Sequence, residues 1–253
     1  MKASKESVRL LVSAPSQYAL RLAHSPAEVQ SAQALRFQVF NLELNEGLAQ
    51  SYATGLDADP FDAVCDHLLV EQVSTGQIVG TYRLQTGVSA KKNLGYYCEQ
   101  EFQFGVYEPW RDQIVELGRA CVHRQHRNLF VLGLLWKGIA QYATARGGRY
   151  LIGCSSLTSQ EPAAGASAYT EICRNHLAEP QWRTDPLPSH ECPLHEVTEE
   201  PMPIPKLLRA YLTVGAKICG PPALDQQFKT IDFLTLLDIE ALPAATRERF
   251  FGC

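Results

Sequence analysis

The sequence predicts an α/β fold: a mixed central β-sheet with a splayed, bulged core strand, flanked by helices. Three observations predict it. Short β-rich runs alternate with helix-length stretches along the chain, the pattern of strands covered by helices. The run Gln113–His123 is rich in β-branched and large aliphatic residues, yet it carries Glu116 and Arg119, types rarely buried without a partner. Gly118 lies between the two charges, and a glycine inside a strand often marks a bulge. Strict alternation would send positions three apart to opposite faces. One extra residue would return Glu116 and Arg119 to one face and push this strand away from its neighbour, opening a slot with unpaired backbone donors.

The elements follow in order. Residues 1–17 are mixed, with a strand expected near Val8–Val12, and Tyr18–Ala23 alternates as a second. Ser25-Pro26-Ala27-Glu28 combines an N-cap hydroxyl, proline at the first helical position and an acid at the third, a capping box. The helix it opens runs to about Leu44, with Val29, Ala32, Leu35, Val39 and Phe40 on one stripe and Arg36 beside it. From Asn45 to Asp66 glycines, aspartates and Pro60 break every period, which marks a lid over a site. His67–Val73 and Gln77–Gln85, joined by Ser74-Thr75-Gly76, read as a hairpin carrying Arg83. Residues 86–112 are irregular or helical. After the core strand, Arg124–Asn128 leads into a helix from Leu129 to Arg146, stopped by Gly147-Gly148. Tyr150–Ser156 is a buried strand, Ala166–Leu177 a short helix and Glu179–Pro205 a proline-rich loop. Pro205–Val214 is helical, Ala216–Cys219 and Phe228–Leu237 are strands separated by Gly220-Pro221-Pro222, and a helix from Ala241 closes the chain. One domain over 1–253 is expected, elaborated at about 157–204.

Composition narrows the function. A net charge of −4 argues against a dedicated nucleic-acid binder, which needs a strongly basic domain. No leader-like apolar run follows a basic start, and no stretch is long and apolar enough to span a membrane, so a cytoplasmic protein is expected. The eight cysteines lie far apart with no Cys-x-x-Cys pair, the pattern of reduced thiols. His190-Glu191-Cys192-Pro193-Leu194-His195 has metal-capable atoms, but in a proline-rich loop it reads as loop, and no metal is expected.

Five short motifs stand in register: Leu35-Arg36-Phe37-Gln38-Val39-Phe40, Asp59-Pro60-Phe61-Asp62, His67-Leu68-Leu69-Val70, Gly80-Thr81-Tyr82-Arg83-Leu84 and Glu116-Leu117-Gly118-Arg119. Together, over about 18–240, they resemble the GNAT-like acyltransferases that use acyl carrier protein. Two branches are similar: ornithine-lipid (lyso-ornithine lipid) synthases, often labelled hemolysin-like, and acyl-homoserine-lactone synthases. The second branch usually has a hydroxyl residue at the place of Gly118 and a tryptophan near 44–50, and neither is present. Pro205–Leu212 and Gly215–Pro222 look like the first. Arg124-Gln125-His126-Arg127-Asn128-Leu129 replaces the glycine-rich pyrophosphate loop of coenzyme-A-using relatives, which points to a donor carried as a phosphopantetheine thioester on acyl carrier protein, with no tightly bound cofactor.

The resemblance implies an N-acyltransferase moving a long, plain or 3-hydroxy, acyl group to the α-amine of an amino acid, ornithine first. Glu116 is the expected base, directly or through water, with Arg119 beside it. Arg36, Phe40, Asp59, Asp62 and Arg83 are the expected substrate-binding side chains, and Ala120, Cys121 and Val122 offer backbone donors to the thioester. Arg124, Arg127 and Lys137 would meet the acidic carrier protein. A lyso-lipid product suggests a peripheral membrane position, with Lys206 and Arg209 on the 205–214 helix as a contact. The alternatives stay open at this point. The three cations and three anions could simply pin the lid, the basic residues could be a solvated face, and the chain could make a homoserine lactone or free N-acyl amino acid, or bind acyl chains without catalysis.

Overall fold

In the computed structural model, residues 17–195 and 203–251 are described, so the strand expected near Val8–Val12 lies outside them. β1 (Tyr18–Leu22) leads to α1 (Pro26–Phe37), which opens on the expected capping box: Ser25 Oγ accepts from Glu28 N, and Glu28 Oε2 accepts from Ser25 N. The helix does not stop at Phe37. It widens into a π-helical turn over Gln38–Glu43, a form common at functional sites, and this turn buries Val39, Phe40 and Asn41. The presumed lid then holds a single-turn α2 (Ser51–Thr54) and a 3-10 turn at Pro60–Ala63.

β2 (Asp66–Gln72) and β3 (Gln77–Thr86) form the hairpin, followed by α3 (Gly87–Lys92) and β4 (Ile114–Val122). α4 (Leu129–Ala145) starts where Asn128 Oδ1 accepts from Phe130 N and Val131 N. β5 (Tyr150–Leu157), α5 (Pro162–His176), α6 (Lys206–Thr213), β6 (Lys217–Ile218), β7 (Ala223–Asp225), β8 (Thr230–Asp238) and α7 (Ala244–Phe251) complete the chain. Three boundaries differ from the sequence reading. α5 begins four residues earlier, at Pro162, because proline suits a first helical turn. α7 starts after Pro243 rather than at Ala241. β7 was hidden behind Gly220-Pro221-Pro222 and is three residues long, too short to show a period.

The strands form one sheet in the order β1-β2-β3-β4-β5-β8-β6, with β7 also on β8. Every pairing is antiparallel except β4 with β5. That parallel pairing joins only Ile114–Glu116 to Tyr150–Ile152, and beyond it the two strands part. The bulge is present but displaced. Thr81 faces Cys121 and Arg83 faces Gly118, so Tyr82 alone opposes both Arg119 and Ala120. The left-handed backbone falls on Arg119 (φ 51°), not on Gly118. Bulges of this kind put one residue in that region, usually glycine, and a side chain held there costs about 1–3 kcal/mol.

The bulge shifts the face pattern by one. Val115 and Leu117 before it and Ala120 and Val122 after it pack with Val131, Leu135 and Ile139 of α4. Cys121 packs on the opposite face with Ala32, Leu35, Val39 and Phe40. Gly153 sets how closely the strands meet at their parting. A Cβ there would lie 2.2 Å from Leu117 O, whereas one on Gly118 would meet nothing within 4 Å. Gly153→Ala is expected to lower stability by about 1–3 kcal/mol, the usual penalty of overpacking, and Gly118→Ala to be near neutral; denaturant midpoints check both.

Candidate active site

Where β4 and β5 diverge, a cavity of about 840 Å³ passes between them. Its two ends differ in chemistry. On the α4 side the wall is Leu117, Ala120, Leu132, Leu135, Trp136 and Tyr211. On the α1 side it is Glu46, Arg83, Tyr97, Glu116, Arg119 and Asp232. His123 N donates to Val79 O at 2.8 Å, so strand alternation turns the N–H of Cys121 toward β3 as well and those of Ala120 and Val122 into the gap. Two of the three expected backbone donors therefore face the cavity. The Cys121 side chain is buried under α1, where burial pushes its thiol up to about 12, and it offers no nucleophile.

Behind the polar wall lies a lattice of three arginines and three aspartates. Arg36 is 1% exposed; its Nε donates to Asp57 Oδ2 at 2.8 Å, and its Nη1 and Nη2 grip Asp62 at 2.9 and 2.7 Å. Arg83 Nη1 reaches Asp59 Oδ1 at 2.6 Å and Asp62 Oδ1 at 3.1 Å. Arg119 meets Asp57 at 3.3 Å and Asp59 at 3.1 Å, and lies between the rings of Tyr97 and Phe228 at 4.7 and 4.4 Å. The left-handed Arg119 backbone is what sends this side chain back over the sheet to the Asp57–Asp62 segment. Burial alone would raise the Asp62 carboxyl, but the hydrogen bonds and charges of Arg36 and Arg83 win and hold it well below the usual carboxylate range. A depressed folded-state pKa adds stability that is complete above the unfolded value of about 3.9 and is lost as pH falls below it. Acid titration of the folded protein is thus expected to show a loss below pH ~4 that Asp62→Asn removes.

Two expected roles change. Arg36, Asp59 and Asp62 are not on the cavity wall; they anchor the segment that carries it. The third acid of the lattice is Asp57, not Glu116. Glu116 makes no ion pair with Arg119. Its Oε1 accepts from Cys98 N at 2.8 Å, and its Oε2 accepts from Tyr97 N at 2.9 Å and Gln85 Nε2 at 2.6 Å. Three donors fix the carboxylate and, through it, the Tyr97–Cys98 backbone beside the cavity.

Other acids on the polar side have no such partners. Glu46 Oε1 accepts from Thr158 Oγ1, and burial lifts its carboxyl to about 7, with the Asp232 charge adding to the rise. Burial and then the Asp225 charge push Asp232 up to about 6, and burial together with the charges of Asp232 and Asp225 raises Glu101 as well. Ligating atoms of Glu101, Cys154 and Asp232 lie within 4.8 Å of one another. The 3.5 Å hydrogen bond with Cys98 and burial raise the Cys154 thiol, and the trio offers three ligands, one fewer than a closed structural zinc site uses. All seven described cysteines are free, in line with the expected reduced thiols.

Arg124 and Lys137 are exposed, as a docking patch requires, but they are not among the residues lining the cavity; Arg127, which is, is bound to Glu43 and to Val122 O. α6 exposes Lys206, which borders the cavity, and Arg209, while Leu208 and Leu212 pack in the core, so its apolar face is spent on the fold. No helix among the described residues is long and apolar enough to cross a membrane.

Over residues 35–137 the chain matches the acetyltransferase (GNAT) domain family. Over 237 residues it is 35% identical to an L-ornithine N(alpha)-acyltransferase of Agrobacterium fabrum, covering 88% of this chain and 81% of that protein. The chain belongs to the L-ornithine N(alpha)-acyltransferase family. Another member of the family, from Brucella abortus, is 34% identical over 88% of this chain and 85% of its own. Among solved structures, the AHL synthase LasI superposes with a TM-score of 0.52 at 13% identity, covering 94% of this chain and 96% of that one. FeeM, an N-acyl amino acid synthase, gives 0.54 at 11% identity over 88% and 91%. The GNAT-like acyltransferase fold expected from the five motifs is the fold observed.

For this member of the ornithine acyltransferase family, sequence reasoning missed Glu46, Asp57, Glu101 and Asp232. Asp232 carried a usable signal: it is an acid inside a β-rich run, the same anomaly that singled out Glu116. Glu46 and Asp57 sit in an aperiodic loop where acids are ordinary, and only the fold shows that they are buried.

Proposed function

We propose that this chain transfers a long-chain fatty acyl group, plain or 3-hydroxy, from acyl carrier protein to the α-amine of ornithine. The observation that carries this reading is the cavity between β4 and β5, apolar at one end and acidic at the other, with backbone N–H groups of Ala120 and Val122 between. The acyl chain lies among Leu132, Leu135 and Trp136, and the acceptor enters from the side of Glu46. The amine nitrogen attacks the thioester carbonyl, the two backbone donors hold the developing oxyanion, the C–S bond breaks and the thiol leaves. Glu46 takes the amine proton; a carboxylate lifted to about 7 suits transfer from an ammonium near pH 8 better than an ordinary one. Glu116 positions Tyr97 and Cys98 rather than moving the proton.

Several features favour a carrier-protein donor over coenzyme A. The turn before α4 lacks a glycine-rich phosphate cradle, and Arg124 and Lys137 stand free at its approach. Leu129, 83% exposed, and Phe130, 56% exposed, form an apolar lip beside that approach, suited to passing a lyso-lipid to a membrane surface. The test is transfer by purified protein with ornithine and either acyl carrier protein or coenzyme A as donor, products read by mass spectrometry. N-acylornithine formed faster from the carrier-protein thioester supports the reading. Equal or faster transfer from coenzyme A removes the carrier protein, and no product from either donor removes the whole proposal.

A further inference from the structure

Charge is balanced on one side of the cavity and unbalanced on the other. The lattice pairs Arg36, Arg83 and Arg119 with Asp57, Asp59 and Asp62. Across the gap, Glu46, Glu101 and Asp232 form no ion pair with any arginine or lysine among the described residues. Asp232 is 4% exposed and faces the cavity; its Oδ1 has no partner of good geometry, its Oδ2 has Thr230 Oγ1 at 3.3 Å, and Ser156 and Glu101 lie near enough to act on its carboxyl. Glu101 backs it, 2% exposed, with Oε1 likewise unpartnered and Oε2 3.7 Å from Cys154 Sγ. Arg119 acts on Glu101 only through space. Native folds compensate nearly all buried charge, so two facing acids with no cation between them, one on the cavity wall and one behind it, call for a cationic guest.

We propose that Asp232 and Glu101 form the subsite for the side-chain ammonium of a diamino-acid acceptor and so determine acceptor specificity. This rests on the acyltransferase reading above. The geometry suits one nitrogen: oxygens within 4.8 Å of each other can both lie at the ~2.8 Å of a charge-assisted N–H···O bond from a single ammonium between them. The ammonium supplies three donors and one positive charge, which neither acid obtains from the other. Glu46 and Asp232 line the same cavity, and the Asp232 charge bears on Glu46. A short methylene chain therefore links an amine at Glu46, which reacts, to an amine at Asp232, which is held. The same arrangement explains how one of two similar amines is chosen: the one seated between two carboxylates stays protonated and is not a nucleophile.

The experiment compares ornithine with norvaline, which has the same carbon chain and no side-chain amine, as acceptors for the wild-type protein and for Asp232→Asn. A site built for a polar group rejects an analogue lacking it by as much as about 10⁴-fold, so wild-type kcat/KM is expected to favour ornithine by at least ~10²-fold, mainly through KM. In Asp232→Asn that preference is expected to collapse toward unity, with the α-amine still the acylated position. Wild-type protein that uses norvaline as well as ornithine overturns the subsite while leaving the acyltransferase reading intact, and this arm needs no variant to fold. A variant in which both acceptors lose equally makes Asp232 merely structural and also overturns it. A stoichiometric divalent metal in the purified protein, lost on Asp232→Asn, would assign the acids to an ion instead. Wild-type protein that acylates neither acceptor fails at the earlier reading.

Discussion

Replacing Arg36 by alanine is expected to cost about 3–5 kcal/mol of stability, the range seen when one partner of a buried ion pair is removed. The side chain is almost wholly enclosed, and its guanidinium is divided between two aspartates. Alanine would leave Asp57 with Arg119 as its one cationic partner, at 3.3 Å, and Asp62 with Arg83 at 3.1 Å and the neutral Gln33 Nε2 at 2.8 Å. The segment from Asp57 to Asp62 would keep only the Gln33 hydrogen bonds as its polar tie to α1, and Arg119, which depends on the same aspartates, would be held less firmly beside the cavity. The reading is checked by denaturant unfolding of Arg36→Ala and of the triple variant Arg36→Met, Asp57→Asn, Asp62→Asn. If uncompensated charge is the cause, the triple variant recovers much of the loss. A triple variant worse than Arg36→Ala would mean that shape, not charge, governs this region.

Glu46→Gln is expected to lower kcat by about 10²–10⁴-fold, the usual contribution of a positioned general base. With its carboxyl lifted to about 7, wild-type activity should fall as pH drops through that value, because the protonated form cannot accept the amine proton. The variant should lack this acid limb. Its stability is expected to hold. A buried carboxyl with a folded-state pKa above its unfolded value opposes folding once pH exceeds both, and glutamine removes that penalty while still accepting from Thr158. Loss of turnover with unchanged or improved stability at pH 8 separates a catalytic role from a structural one. An acid limb that survives in the variant would assign the titration to another group.

The residues show why some of this was legible in the sequence. Strands and helices with a strong period or a cap signature were placed to within a few residues, since Ser25-Pro26-Ala27-Glu28 and the Leu129–Ala145 stripe are local physics. Core charges were also visible as anomalies, which is how Glu116, Arg119 and Arg83 were found. Their partners were not. Arg119 sits with Asp57 and Asp59 because Arg119 itself, not Gly118, adopts the left-handed turn, and no local signal distinguishes the two. The π-helical turn that brings Phe40 inward, and the approach of Asp232 to Glu101 across more than a hundred residues, are products of tertiary packing.

The three-residue parallel contact between β4 and β5 also bears on how the molecule assembles. The ladder from β1 to β4 is a meander of neighbours in sequence, whereas β5 must wait for β8: Leu157 pairs with Ile231, 231 − 157 = 74 positions later. Distant pairings are slow to form because chain entropy is spent before the contacts repay it. The pairing with β8 is therefore expected to form last, and pulse-labelled hydrogen exchange should find the amides of β8 protected after those of β2 and β3. The cavity, which takes Asp232, Thr235, Leu236 and Leu237 of its lining from β8, is complete only at that final step.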